Sequence, residues 1–157
     1  MPLLGETGCR LAEIVRLRLE DIDLKHDLIQ IRTNSVRHLK TRNSQRTLPV
    51  VGYWKLTMEK ALTNSDDQYL FLRYIRNGKC YANHPTNSLN KWLKKNFNGM
   101  TADCLRHTIR DRLRAVECPL DPIDQIGERK SVSSIGNSYG KGYSNDGVKS
   151  WMFKAEI

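Results

Sequence analysis

Apolar positions along this chain change period several times, and the changes mark its elements. Leu11, Ile14, Val15 and Leu19 recur at helical spacing behind Thr7 and Gly8, which predicts a short amphipathic helix over 10–19, entered by a tight turn, with Arg10 in its first turn. Between 28 and 50 the texture shifts to short runs, Leu28-Ile29-Gln30-Ile31 and Arg46-Thr47-Leu48-Pro49-Val50, broken by Asn and Ser. That pattern predicts a small antiparallel sheet with Lys40 at the edge of one of its turns. Residues 52–62 and 85–97 read as helices, while 69–75 fit a strand and a buried turn equally well. The strongest signal lies over 101–116, where Leu105, Ile109, Leu113 and Val116 follow one another at intervals of four, four and three. The same helix gathers Asp103, Arg106, His107 and Arg110 on another side, because residues three and four apart are neighbours. After a Ser- and Gly-rich stretch over 131–143, Val148, Trp151, Met152 and Ala155 trace a final amphipathic helix whose stripe reads as core.

Composition narrows what such a chain can do. Its 157 residues fit one domain without internal repeats, and a hydrophobic share of 39% suffices for a core at that length. Lysine and arginine total 26 against 17 acidic residues, a net charge of +9 that points to an anionic partner, nucleic acid first. No apolar run approaches the roughly 20 residues of a membrane helix, and Met1-Pro2-Leu3-Leu4-Gly5 lacks the basic start and long apolar stretch of a signal peptide. Cys9, Cys80, Cys104 and Cys118 stand far apart, with no C-x-x-C and no histidine pair at ligand spacing. Neither a metal site nor a disulfide framework is expected, and a reducing cytoplasm fits best.

Candidate chemistry gathers around phosphate. Thr7-Gly8-Cys9-Arg10 presents one arginine just after a glycine turn, and Leu105-Arg106-His107-Thr108 presents a second near the start of a helix, 96 residues later. A guanidinium donates bidentately to phosphate, stays charged, and can stabilise the added charge of a pentacoordinate transition state. Lys40 adds an ammonium able to protonate a leaving oxygen, and Tyr139 an oxygen nucleophile. Each has an ordinary alternative: Arg10 can pair with Glu13 at i, i+3, Asp103 suits a first helical turn, Lys40 and Lys130 can be solvated charges, and Tyr139 can be a core aromatic.

Taken in order, these residues resemble the tyrosine recombinases, or phage-type integrases. The family pattern has an arginine in a Thr-Gly-x-Arg turn, a hairpin lysine, a His-x-x-Arg-His box, a His or Trp, and a tyrosine. Arg10, Lys40, Arg106 and Tyr139 match in sequence order, and Leu39-Lys40-Thr41 with Ser44-Gln45-Arg46-Thr47-Leu48-Pro49 is similar to the family's hairpin. The likeness runs from about Leu4 to Tyr143. It implies an α+β, mostly helical catalytic domain of the DNA breaking-rejoining type, occupying 1–157 as one unit and preceded in the family by further helices and a DNA-binding domain. It also implies a 3′-phosphotyrosine intermediate on Tyr139, no cofactor and no metal. Double-stranded DNA is the expected partner, held in part by His107, Arg110, Arg42 and Arg46, and the family assembles as a tetramer on two duplexes. His107-Thr108-Ile109-Arg110 also reads His-x-x-Arg, but the Leu-Arg-His-Thr wording sets the frame on Arg106. Tyr143 is the second candidate nucleophile.

Two positions depart from the pattern. Asp103 stands where the family has the first histidine of its box, and Lys130 lies nine residues before Tyr139, where the family has His or Trp. A carboxylate can accept a proton and a lysine can bond a phosphate oxygen, so both are retained as candidate catalytic residues. The same departures set a rival expectation, a prophage-derived remnant that binds DNA without cutting it.

Overall fold

Helix α1 (Pro2–Thr7) opens the chain in the computed structural model, which describes residues 2–39, 44–63, 68–127 and 142–156. The apolar spacing did not predict it, because so short a helix shows no period; it is held by burial of Leu3 and Leu4. The helix expected over 10–19 is shorter. α2 covers Leu11–Val15, and Leu19–Asp21 forms a 3-10 turn. A distant strip competes for the backbone in between: Leu70 N–H donates to Leu17 C=O at 3.0 Å and Leu19 N–H to Gln68 C=O at 2.9 Å. These bonds take Leu17 out of helical register and seat its side chain in the core.

The expected small sheet is present. β1 (Ile22–Asp23), β2 (Leu28–Ile31) and β3 (Arg46–Pro49) lie side by side, antiparallel, with Ile29 between Ile22 and Leu48 in register. Ile29 and Ile31 point into the core while Gln30 faces outward, the period-two burial of a sheet covered on one face. α3 (Tyr53–Thr63) follows as predicted and buries Trp54 and Met58; the Glu6 carboxylate accepts the Trp54 N–H at 3.1 Å. The ambiguous stretch becomes a 3-10 turn, Leu72–Tyr74, running into a hairpin of β4 (Ile75–Arg76) and β5 (Lys79–Cys80). Asn77 and Gly78 turn that hairpin with φ of 50° and 69°, the backbone a two-residue connection requires.

α4 (Asn83–Asn96) and α5 (Ala102–Ala115) match the helices read from the sequence. Ile109 and Leu113 on α5 are fully buried, with Leu105 and Val116 packed at the margin. α6 (Leu120–Gly127) was not predicted, since two prolines flank or enter it and only Pro122, Ile123 and Ile126 are covered. The final stripe folds into α7 (Asn145–Lys154), started by the Ser144 hydroxyl accepting the Gly147 N–H at 3.1 Å. α7 lies against β3 and α5, and Arg112 ties it down: Nε donates to Ala155 C=O at 2.6 Å and Nη1 to Gly5 C=O at 3.3 Å. One arginine thus holds both ends of the described chain on α5.

Candidate active site

The turn Thr7-Gly8-Cys9-Arg10 carries the first arginine out of α1. Thr7 is buried, with its hydroxyl donating to Leu3 C=O and accepting the Cys9 N–H at 3.2 Å. Gly8 sits at φ 63°, where only glycine is unstrained, and a Cβ built on it would lie 2.9 Å from Ile109 Cγ2. The turn therefore rests directly on α5, at the residue one turn beyond Arg106. Arg10 then starts α2 from an extended conformation: its C=O accepts from Glu13 and Ile14, and its own N–H donates to Glu13 Oε2 at 2.9 Å. The Arg10 guanidinium reaches Glu13 Oε1 at 3.3 Å with 40% of the side chain exposed. The ordinary pairing and an outward-facing arginine coexist in one residue.

Arg106 enters the same neighbourhood from α5. Its Nη2 donates to the carbonyl of Gly127, the last residue of α6. Burial pushes the Cys9 thiol up, and the charges of Arg46 and Arg106 both act against that rise. The Gly8 contact with Ile109 thus brings together two segments 96 residues apart in the chain, the turn before Arg10 and the helix that bears Arg106.

Glu13 is the carboxylate that organises this cluster, and the sequence reading saw it only as a partner for Arg10. It is buried, and Arg46 Nη2 donates to its Oε2 at 3.0 Å. Burial would raise its carboxyl; the charge and hydrogen bond of Arg46, with the N–H and charge of Arg10, outweigh that and hold it below the usual carboxylate range. Arg46 was expected at the DNA. Its side chain is only 6% exposed, and besides Glu13 it bonds Ser44 C=O and Cys9 Sγ, so in the folded chain Arg46 braces Glu13.

On α5 the helix start is held by Asn90 of α4, whose Oδ1 accepts the Ala102 N–H at 2.8 Å. Asp103 and His107 are exposed on that helix, and Arg110 is half-buried. Lys40, Arg42, Lys130 and Tyr139 lie outside the described residues. The chain just before Lys40 is described, and it is built on a buried ion pair. Arg37, 1% exposed, meets Asp21 Oδ2 at 2.7 Å and donates to Arg32 C=O at 2.6 Å and to Glu13 C=O at 3.3 Å. Arg32 Nε takes the other oxygen of Asp21 at 2.7 Å. Arg37 therefore joins the chain at 32–37 to the backbone of the helix that Arg10 starts.

A basic and aromatic cavity of about 380 Å³ lies where the β4–β5 hairpin meets α4, lined by Arg73, Tyr74, Arg76, Tyr81, His84 and Ser88. The sequence reading missed it, although arginines and tyrosines alternate over 73–81. Among the described residues no group of three or more His, Cys, Asp or Glu is placed to hold a metal, and no helix is long and apolar enough to cross a membrane.

The fold is a mostly helical domain with a marginal three-stranded antiparallel sheet, in which the glycine turn before Arg10 rests on the helix that bears Arg106. The chain belongs to the phage integrase family, whose model matches residues 1–145. Its fold is similar to that of the Tn1549 transposon integrase in complex with circular intermediate DNA, at a TM-score of 0.68 and 18% identity over 98% of this chain and 58% of that one. The same integrase in complex with transposon right end DNA gives a TM-score of 0.64, 18% identity, and coverage of 97% and 56%. The XerA recombinase gives 0.59 and 20%, over 96% of this chain and 54% of that one. The chain thus spans a little over half the length of these solved structures. No curated protein sequence matches it.

Proposed function

We propose that this chain is the catalytic domain of a site-specific DNA recombinase that cuts and rejoins DNA through a 3′-phosphotyrosine. The observation that carries the reading is the seating of the Gly8 turn on Ile109, which brings the Arg10 and Arg106 segments together. In this mechanism the Tyr139 hydroxyl oxygen attacks the scissile phosphorus while its proton passes to Asp103. The bond from phosphorus to the 5′ oxygen breaks, and Lys40 supplies the proton that leaves a 5′-hydroxyl. Arg10 and Arg106 brace the non-bridging oxygens, with Lys130 bonding one of them. The phosphotyrosyl ester conserves the bond energy for rejoining, so neither cofactor nor metal enters. Surplus basic charge, including Arg110, Arg42 and the 73–88 cavity, holds duplex phosphates, with His107 beside it. The proposed setting is the cytoplasm, with four copies on two duplexes.

A second reading is favoured by one observation, that Asp103 and Lys130 occupy positions where the family has His and His or Trp. On it, the chain is a prophage remnant that binds DNA without cleaving. One experiment separates the two. Nicked duplexes tiled across the DNA flanking the gene are incubated with the chain in EDTA and run on denaturing gels. An adduct abolished by Tyr139→Phe supports strand exchange; salt-sensitive gel shifts without an adduct support the remnant. An adduct that survives Tyr139→Phe and disappears with Tyr143→Phe moves the nucleophile.

A further inference from the structure

Gly127 and Gly142 bracket the stretch of chain that carries Lys130 and Tyr139; Gly127 ends α6, and the chain just after Gly142 is tied back to α6. Upstream, Gly127 C=O accepts from Arg106 Nη2. Downstream, the Gln125 side chain faces the backbone of Tyr143: Nε2 donates to Tyr143 C=O at 3.0 Å, and Oε1 accepts the Tyr143 N–H at 3.0 Å. An amide that satisfies both polar groups of one residue copies the paired bonds of an antiparallel ladder, fixing that residue in position and orientation. Gly142 completes the fit, with φ of 70° and a built Cβ only 3.0 Å from Gln125 Oε1, so that a side chain there would press on the clamp.

We propose that Gln125 is a positioning residue for cleavage: it pins the backbone at Tyr143 to α6, whose last carbonyl accepts from Arg106, and so limits the reach of the chain that leads back to Tyr139. The proposal rests on the reading of Tyr139 as nucleophile. Four residues of chain span at most about 14 Å, so an anchored residue 143 limits the reach of residue 139, and in-line attack is sensitive to displacements of about 1 Å. Neither Gln125 nor the Tyr143 backbone touches the reacting atoms in this account.

The test uses the full chain and its Gln125→Ala and Gln125→Glu variants. Gln125→Glu keeps an acceptor for the Tyr143 N–H but sets a carboxylate oxygen against the Tyr143 carbonyl. Single-turnover adduct formation on a nicked duplex, gel shift on the same duplex, thermal unfolding, and hydrogen exchange of the Tyr143 amide are measured together. The expected result is a fall of about tenfold in adduct rate for both variants, with duplex affinity and melting temperature unchanged and faster Tyr143 exchange in Gln125→Ala. Unchanged adduct rates overturn the proposal, as does a fall that merely follows lost affinity or lost stability. If the unaltered chain forms no adduct, the strand-exchange reading fails and the role of Gln125 in cleavage fails with it. If the unaltered chain forms an adduct but its Tyr143 amide exchanges as fast as in Gln125→Ala, the clamp alone is refuted and strand exchange stands.

Discussion

Gly8 and Ile109 leave no room for one carbon atom between them, since a Cβ on Gly8 would stand 2.9 Å from Ile109 Cγ2. This contact joins the turn before Arg10 to the helix that bears Arg106. Gly8→Ala is expected to destabilise the fold by about 2–5 kcal/mol, combining about 1–2 for a left-handed alanine with about 1–3 for overpacking. Urea unfolding measures it. In a double-mutant cycle with Ile109→Ala the penalties should sum to less than their separate values, because the vacated space accepts the new methyl group.

Arg46→Ala removes the main partner of a buried carboxylate. A cost of about 3–5 kcal/mol is expected, since the loss leaves Glu13 charged and undercompensated. Glu13→Gln in the same background should restore part of it, measured by the same unfolding assay. Because Arg46 is covered, its removal should leave the salt dependence of duplex binding as it was in any variant that still folds.

Acid should undo the fold through Glu13 and Asp27. Hydrogen bonds from Lys55 and Lys149 hold Asp27 below its ordinary value, as Arg46 and Arg10 hold Glu13. A depressed carboxyl contributes stability that is complete above the unfolded value of about 4 and is lost as pH falls through the folded one. Melting temperatures measured from pH 7 downward should drop in that range, with a shallower fall in Asp27→Asn. Glu6 acts in the other direction. Burial raises its carboxyl, so its charge costs stability near neutrality and protonation relieves the cost. Glu6→Gln is expected to hold or raise the melting temperature at pH 7.

Arg10→Ala and Arg106→Ala should each slow adduct formation by at least about 100-fold, the scale of one lost transition-state donor. Duplex affinity should change far less. Single-turnover rates beside gel shifts measure the split, and equal losses in both would assign these arginines to ground-state phosphate binding alone.

Arg73→Gln and Arg76→Gln probe the cavity at the β4–β5 hairpin. If each guanidinium meets one phosphate, each substitution lowers the slope of log affinity against log salt by about 1. Titrations at several salt concentrations check it, and unchanged slopes would place the cavity off the DNA.

Periodicity along the chain carried much of the architecture. α5, α3, α4, α7 and the sheet were legible because their apolar residues recur at the period of the element that buries them, and a long helix repeats that signal several times. Order along the chain was enough to single out Arg10 and Arg106 as a pair. What needed the tertiary structure was every feature decided by a distant partner. α2 ends early because Leu17 and Leu19 bond a strip around Leu70. α6 is too short and proline-marked to show a period, and it is held by what Ile123 and Ile126 pack against. Arg46 was read as a DNA contact, and nothing local in Gln45-Arg46-Thr47 says that Glu13, 33 residues earlier, will fold against it. Gln125 was invisible for the same reason. A side chain's neighbours in sequence set its spacing, but its burial and its hydrogen-bond partner are set by whichever segment closes over it.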